Sequence, residues 1–247
     1  SVPASGRVLR TPLLAALSAC LGAARRRRSW LVRIDDSDPP REQAGAAAQI
    51  LATLEACGFE WDGAVTYQST RHACYERALA KLRDAGRTFA CGCTRKDFTG
   101  PVYPGTCRAG VPVGRSPRTV RVRPDDLPVR FTDRIQGDVE QNPARDVGDF
   151  IIVRAGGHYA YHLACVVDDA DAGVTDIVRG ADLLVSGPRQ IVLQRMLGFP
   201  TPTSAPIPVV VNEAAHKLSK QTFAAPAHPP PLSSPPCEAL QALSPRL

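Results

Sequence analysis

Apolar side chains return at helical spacing in several segments, and short apolar runs lie between these segments. Helices are predicted from a cap at Thr11 with Pro12 in the first turn, over 47–57 closed by Gly58, from a cap at Ser69 to Gly86, and from Gly187-Pro188 to Gly198. Residues 159–167 fit either a helix or a strand, and we favour the helix. Buried strands are predicted at 30–34, 149–154 and 176–179, and further strands at 119–122, 129–132 and 209–211. Strands that alternate with helices are typical of an α/β protein with a parallel sheet.

The character of the chain changes after Phe89, where Cys, Pro, Gly and Arg become frequent. This change predicts an insertion in the α/β domain. We expect residues 1–88 to form the first half of that domain, 89–148 an inserted metal-binding subdomain, and 149–223 the second half. Residues 224–247 form a Pro-rich C-terminal tail.

Composition narrows the class of protein. The chain has 247 residues, a formal net charge of +6 and a pI of about 9.0, which favours an acidic partner such as nucleic acid. No apolar run reaches the ~20 residues of a membrane span, so no membrane association is expected. Eight unevenly spread cysteines favour a reducing, cytoplasmic location over a disulfide scaffold. The Arg25 to Arg28 cluster is either a solvated helix end or a phosphate-binding element.

The spacing of Cys91, Cys93, Tyr103 and Cys107 is the most specific local signal. Two thiolates separated by one residue can face a single ion, and a returning strand can supply a third. Tyr103 can fill the fourth position through its phenolate, because a cation lowers the pKa of an oxygen that coordinates it. The alternative is a set of incidental buried cysteines. Because the cysteines are dense in a Pro- and Gly-rich stretch with little core of its own, we predict one structural zinc ion.

Two further clusters are weaker signals on their own. Lys217 and Lys220, with Ser219 between them, suit a triphosphate but also fit any surface loop. Asp35, Asp36 and Asp38 follow a predicted strand, where ligand sites of parallel sheets collect, or they form a solvated turn.

Six segments together resemble the glutamyl-tRNA synthetase group of class I aminoacyl-tRNA synthetases. They are Trp-Leu-Val-Arg-Ile-Asp-Asp-Ser-Asp-Pro-Pro-Arg (30–41), Trp-Asp-Gly (61–63), Gln-Ser-Thr-Arg (68–71), Val-Val-Asp-Asp (166–169), Val-Arg-Gly-Ala-Asp-Leu (178–183) and Lys-Leu-Ser-Lys-Gln (217–221). Within this group the chain is most similar to the short glutamyl-queuosine tRNA(Asp) synthetase family. That family has the Cys-x-Cys, Tyr and Cys zinc site and lacks an anticodon-binding domain. The resemblance covers roughly residues 3–228.

The resemblance implies a Rossmann-type catalytic core that activates L-glutamate with ATP and magnesium. It also implies transfer of the glutamyl group to the queuosine base in the anticodon region of tRNA(Asp), by a monomer. The implied site residues are Cys91, Cys93, Tyr103 and Cys107 for zinc, Lys220, Lys217 and Ser219 for ATP, and Asp35, Tyr161 and Arg179 for glutamate. Lys220 and Lys217 are the implied catalytic residues.

The chain departs from the family pattern in three places. Asp35 replaces a Glu, which shortens the presumed contact with the substrate's amino group by one methylene. Leu9, Thr11 and Pro12 stand where the first signature, His-x-Gly-Ser, has His, Gly and Ser. Ser1 falls inside the family's Arg-Phe-Ala-Pro-Ser-type segment, so its glutamate-binding Arg is expected to be missing.

These departures leave three hypotheses. The first is an active or impaired ligase that acts on tRNA(Asp). The second is an inactive zinc-containing paralogue that binds nucleotide or tRNA. The third is a fragment of ordinary glutamyl-tRNA synthetase, which the Arg-Gly-Ala-Asp-Leu segment disfavours.

Overall fold

The computed structural model describes residues 2–3, 10–37, 43–133, 137–180 and 186–207. These residues form two compact units. The first unit contains the described residues up to Thr70 together with 177–180 and 205–207. The second unit contains the described residues of 71–176 and 186–204.

The first unit is built on a small parallel sheet. Its strands are β1 (Val2–Pro3), β2 (Arg33–Asp35) and β3 (Thr66–Tyr67), with helices α1 (Arg10–Arg25) and α2 (Ala46–Ala56). Ile34 lies opposite Val2 and Tyr67 in the central strand, and both pairings are parallel, as predicted. Ile34 is fully buried and packs in one cluster with apolar residues of both helices, including Leu13, Leu17, Ile50 and Leu54.

The second unit packs four helices and two antiparallel sheets around a larger core. The helices are α3 (His72–Asp84), the short α4 (Pro143–Asp146), α5 (Tyr161–Asp171) and α6 (Gly187–Leu197). One sheet has the order β4 (Thr88–Cys91), β5 (Thr119–Val122), β8 (Phe150–Val153), and the other pairs β6 (Val129–Asp133) with β7 (Gly137–Gln141). The core contains Tyr75, Leu79 and Leu82 of α3, Ile152 of β8 and Leu163 of α5.

Strand β9 (Asp176–Gly180) pairs with β10 (Thr203–Ile207) in a separate two-stranded sheet. The sequence predicted β9 and missed β10. The predicted strand at 209–211 and the loop at 217–221 lie outside the described residues. Among the residues that the structure describes, no helix is long and apolar enough to cross a membrane.

Glycine ends most helices as the sequence predicted. Gly58 and Gly86 have φ of 76° and 66°, and the backbone N–H groups of the residues around them bond back to the last turn. This arrangement satisfies carbonyls that a helix end would otherwise leave unpaired.

Two predictions on the fold are wrong. The sheet of β4, β5 and β8 is antiparallel, not parallel, because β8 returns beside β5 instead of continuing the β1–β3 sheet. Ser69 does not cap α3: Arg71 holds the cap position, and Ser69 belongs to a 3-10 turn (Gln68–Thr70). The backbone N–H and hydroxyl of Ser69 instead donate to the carboxylate of Asp36, at 2.8 and 2.6 Å.

A buried carboxylate joins α3 to α5. Asp168 is 3% exposed and accepts hydrogen bonds from the Tyr75 hydroxyl at 2.9 Å and from Arg71 Nε. Arg71 also donates to Asp171, one helical turn further along α5. Because a buried carboxylate is costly unless it is paired and hydrogen-bonded, these contacts fix how the two helices meet.

We predict that Asp168→Ala lowers the free energy of unfolding by about 2–4 kcal/mol, since it leaves the buried Tyr75 hydroxyl without its acceptor and Arg71 with one partner. Asp171→Ala is the matched control. Its carboxylate is half-exposed, so its loss should cost under about 1 kcal/mol. Urea denaturation of both variants measures the difference, and equal losses would contradict the role assigned to Asp168.

Candidate functional sites

Three thiols and a phenol converge in the second unit. Cys91 ends β4, Cys93 follows two residues later, and Tyr103 and Cys107 come from the loop beyond; all four are buried. Tyr103 Oη lies 3.4 Å from Cys91 Sγ and 3.6 Å from Cys93 Sγ, and Cys93 Sγ lies 3.6 Å from Cys107 Sγ. The sequence predicted these four residues as one cluster, and the structure brings them together.

The spacing of this cluster fits a tetrahedral ion. With metal–sulfur bonds of about 2.3 Å and a metal–oxygen bond of about 2.0 Å, the edges of a tetrahedron are about 3.8 Å between sulfurs and about 3.5 Å from sulfur to oxygen. The observed distances lie within about 0.2 Å of these values. Sulfurs 3.6 Å apart are too distant for a disulfide, and all seven cysteines in the described ranges are free.

Two glycines allow the chain to close this tightly. A Cβ on Gly92, between the first two cysteines, would meet the Ser116 carbonyl oxygen at 2.9 Å. A Cβ on Gly148 would meet the carbonyl oxygen of Tyr103 at 2.9 Å, and Gly148 has φ of 71° besides. Only a residue without a side chain lets these backbones approach, which is a local requirement of the cluster.

Arg121 of β5 contacts this cluster, which the sequence did not reveal. Its guanidinium is buried, and Cζ lies 3.9 Å from the centre of the Tyr103 ring. Nε donates to Cys91 Sγ at 3.3 Å, and Nη1 donates to the backbone carbonyl of Asp149 at 2.7 Å. An arginine between two valines of a predicted strand gives no spacing signal for such a role.

The environment prepares one thiol for ionisation. Burial raises the pKa of the Cys91 thiol, but its hydrogen bonds with Tyr103 and Arg121 outweigh burial and lower the pKa to about 7. Burial raises the pKa of Cys93. Burial and the neighbouring thiols also raise the pKa of the Tyr103 phenol, so its proton leaves only when a cation binds the oxygen directly.

Charged pairs surround the cluster. Arg108, next to Cys107, makes a two-pronged contact with the buried carboxylate of Asp149 at 2.7 and 2.9 Å. Arg115 donates to Asp97 at 2.6 Å, and Asp97 in turn accepts from the backbone N–H of Thr94. These pairs tie down the loops that carry the four clustered residues, in the way that outer groups orient the ligands of metal sites.

The predicted glutamate contacts are divided between the units. Asp35 lies at the end of β2, where Arg33 Nε donates to it at 3.3 Å, and Arg179 lies in β9, also in the first unit. Tyr161 is the first residue of α5 in the second unit. Their assembly into one glutamate site therefore stays a prediction.

The predicted ATP residues lie outside the described part of the chain. Lys217, Ser219 and Lys220 are beyond residue 207, and Leu9 precedes residue 10. Thr11 and Pro12 fall in the first turn of α1, which begins at Arg10, one residue before the predicted cap. Asp36 was grouped with Asp35 as a candidate ligand residue, and the structure gives its carboxylate to Ser69.

A protein-family model matches most of the chain. The model of the class I tRNA synthetase catalytic domain, the group specific for E and Q, matches residues 15–99 and 113–226. Two relatives are each 53% identical: the glutamyl-Q tRNA(Asp) synthetases of Chromobacterium violaceum and Aromatoleum aromaticum. The alignments cover 86% and 87% of this chain and 74% and 70% of those proteins.

A solved structure shows the same fold. The glutamate-tRNA synthetase of Elizabethkingia anophelis superposes with a TM-score of 0.78 at 22% identity over 89% of this chain. The chain spans about half the length of that synthetase, 51%. The α/β catalytic fold expected from the sequence is therefore confirmed.

We predict that Gly148→Ala destabilises the second unit more than Gly114→Ala does. Both glycines have positive φ, 71° and 83°, so each substitution carries about 1 kcal/mol of backbone strain. A Cβ at Gly114 meets open space, whereas at Gly148 it meets Tyr103, which adds about 1–3 kcal/mol of crowding. Chemical denaturation gives the two losses, and equal values would show that the approach to Tyr103 is not tight.

Proposed function

The chain belongs to the class I tRNA synthetase catalytic-domain family specific for E and Q, and we propose that it activates L-glutamate with ATP and transfers it to the queuosine base of tRNA(Asp). The observation that carries the proposal is the 50–53% identity to several glutamyl-Q tRNA(Asp) synthetases, each aligned over about 86% of this chain. Identity to the superposed glutamate-tRNA synthetase is only 22%, which favours the shorter family.

Recognition of glutamate needs a cation for each carboxylate and an anion for the ammonium group. Arg179 would pair with a carboxylate in the two-pronged manner that guanidinium groups favour, with Tyr161 as a hydrogen-bonding neighbour. Asp35 would face the ammonium group. Because glutamine lacks the side-chain carboxylate, this set of charges should reject it.

Activation joins the glutamate α-carboxylate to the α-phosphorus of ATP and releases pyrophosphate. Lys217, Ser219 and Lys220 would hold the phosphates with magnesium and offset the negative charge that develops during displacement. Transfer to the queuosine base then releases AMP. The tRNA partner implies a cytoplasmic location, and the family resemblance implies a monomer.

One zinc ion would be held by Cys91, Cys93, Tyr103 and Cys107. These residues belong to the proposed 89–148 subdomain, which is inserted between the two halves of the catalytic domain, 1–88 and 149–223. Residues 224–247 form the tail. Four protein ligands close the coordination shell, and closed sites are structural. The ion would fix the loop segments around Tyr103, which have few apolar residues of their own.

A second candidate is an inactive paralogue that keeps the fold and binds nucleotide or tRNA. The observation that favours it is the first signature, where Leu9, Thr11 and Pro12 replace His, Gly and Ser. Leu9 has no ring nitrogen to donate to a phosphate. Thr11 adds a branched side chain where glycine allows adenine to approach the backbone. We therefore propose that the chain activates glutamate slowly.

We predict that the purified full chain contains about one zinc ion and that Cys107→Ser loses it, since three ligands hold zinc less tightly than four. Cys57→Ser, a half-buried cysteine far outside the cluster in sequence, is the control and should keep the metal. Elemental analysis measures the zinc content, and limited proteolysis should show a loosened 90–110 segment only in Cys107→Ser. Zinc-free parent protein, or equal zinc in both variants, would refute the site.

We predict that restoring the first signature with Leu9→His, Thr11→Gly and Pro12→Ser raises glutamate-dependent ATP–pyrophosphate exchange by about 10²-fold, the effect of one recovered transition-state donor. Glutamine and aspartate in place of glutamate are the controls. Equal exchange by parent and restored chain would show that the first signature does not limit the rate. Exchange by neither chain would refute the ligase assignment.

A further inference from the structure

The end of α1 has an unusual backbone. Arg25 is the last helical residue, and the chain closes the helix with hydrogen bonds from Arg27 N–H to Ala24 and from Arg28 N–H to Ala23. Arg27 occupies the left-handed position of this turn, with φ of 53°. Throughout the described ranges, it is the single non-glycine residue with positive φ.

Four other helices have a glycine at the left-handed position where the helix ends. The left-handed residues that follow or end α2, α3, α5 and α6 are Gly58, Gly86, Gly173 and Gly198, with φ between 62° and 76°. Glycine adopts this conformation without steric cost, whereas a side chain brings Cβ too close to the neighbouring carbonyl. Arg27 therefore occupies a position at which stereochemistry favours glycine and at which the other four helices have glycine.

No local contact offsets this strain. Within the described part of the chain, no hydrogen bond or ion pair involves the Arg27 side chain, which is exposed. Arg25 already places a cation in the last turn, where it complements the helix dipole. Strained residues that persist without local compensation are found at functional sites, which directs attention to what Arg27 binds.

The charge around Arg27 is one-sided. Residues 1–34 contain seven arginines and no aspartate or glutamate. Four of these arginines are consecutive, Arg25 to Arg28, and all four are exposed. Adjacent like charges repel one another, so the cluster is most stable beside a polyanion. Guanidinium groups match phosphate oxygens in a two-pronged geometry.

A second group of arginines differs from Arg27 in its contacts. A cleft of about 510 Å³ in the second unit is lined by Arg87, Arg108, Arg123 and Arg145. Three of the four are paired with carboxylates: Arg87 with Asp125, Arg108 with Asp149 and Arg145 with Asp126. Their charge is largely neutralised inside the protein.

We infer that the turn formed by Arg25 to Arg28 is a docking surface for the phosphate backbone of RNA, and that Arg27 keeps its strained conformation because its charge contacts a phosphate. The inference rests on the proposed tRNA substrate. It assigns a role to residues that belong to neither the predicted glutamate contacts nor the predicted ATP contacts.

The test uses Arg27→Gly in the full chain, because loss of the strain should raise stability whereas loss of the charge should weaken RNA binding. The variant should melt about 2–4 °C higher than the parent, since glycine suits the left-handed position. Its affinity for a tRNA(Asp) transcript should fall about 3–10-fold at 100 mM salt. The slope of log K against log salt should become shallower by about 0.7–0.9, the change expected from one lost phosphate contact.

Two controls separate the causes. Arg27→Lys keeps both charge and strain, so it should bind RNA nearly as well as the parent without melting higher. Arg77→Ala removes one exposed positive charge from α3 and reports the effect of net charge alone, which should be under twofold. Fluorescence anisotropy at several salt concentrations gives the affinities.

Unchanged RNA affinity and salt slope in Arg27→Gly would overturn the inference, as would equal losses in Arg77→Ala or a lower melting temperature in Arg27→Gly. A parent chain that does not bind RNA would overturn it as well. The outcome is independent of catalysis. If the chain shows no glutamate-dependent exchange but its salt slope still depends on Arg27, the ligase assignment is refuted and the docking surface is supported.

Discussion

The buried guanidinium of Arg121 is the constraint around which the cysteine-bearing part of the second unit is arranged. Arg121 lies in β5, the middle strand of its sheet, and its contacts reach both neighbouring strands. Nε meets the thiol that ends β4, and Nη1 meets the backbone carbonyl of Asp149 just before β8. A buried arginine cannot lose its charge, so the surrounding groups must supply a negative one.

The origin of that negative charge links the fold to the metal. The Asp149 carboxylate is already engaged by Arg108 in two hydrogen bonds, and Arg121 receives only the Asp149 backbone oxygen. The thiol of Cys91 is therefore the group beside Arg121 that can become an anion. A zinc dication with three thiolates retains a net negative charge, which would balance Arg121 while Arg121 stabilises the thiolate form. Loop, arginine and ion would then depend on one another.

Local features of the chain could be predicted from the sequence, whereas long-range polar contacts could not. The positions of Gly58, Gly86 and Gly198, and helix α5, follow from turn chemistry and apolar spacing within a few residues. Arg121 and Asp168 carry no such signal, because their partners are distant in sequence. Cys91 lies 30 residues from Arg121, and Arg71 lies 97 residues from Asp168. Ser69 was misassigned for the same reason: a serine before a helix indicates a cap unless a distant carboxylate, here Asp36, takes its hydroxyl. The four zinc candidates could be recognised because they all lie close together in sequence.

Several residues of the motifs shared with the synthetase group make hydrogen bonds to one another within the protein. Asp36 from one segment binds Ser69 of another, and Arg71 binds Asp168 of a third. Each pair gives a buried carboxylate a hydrogen-bond donor, so folding alone gives these residues a role. Leu9, Thr11 and Pro12 differ, because the resemblance assigns the signature that they replace to ATP. A chain can therefore keep most family motifs while its chemistry declines. The motifs that contact only substrate are the ones that distinguish a working ligase from a folded relative.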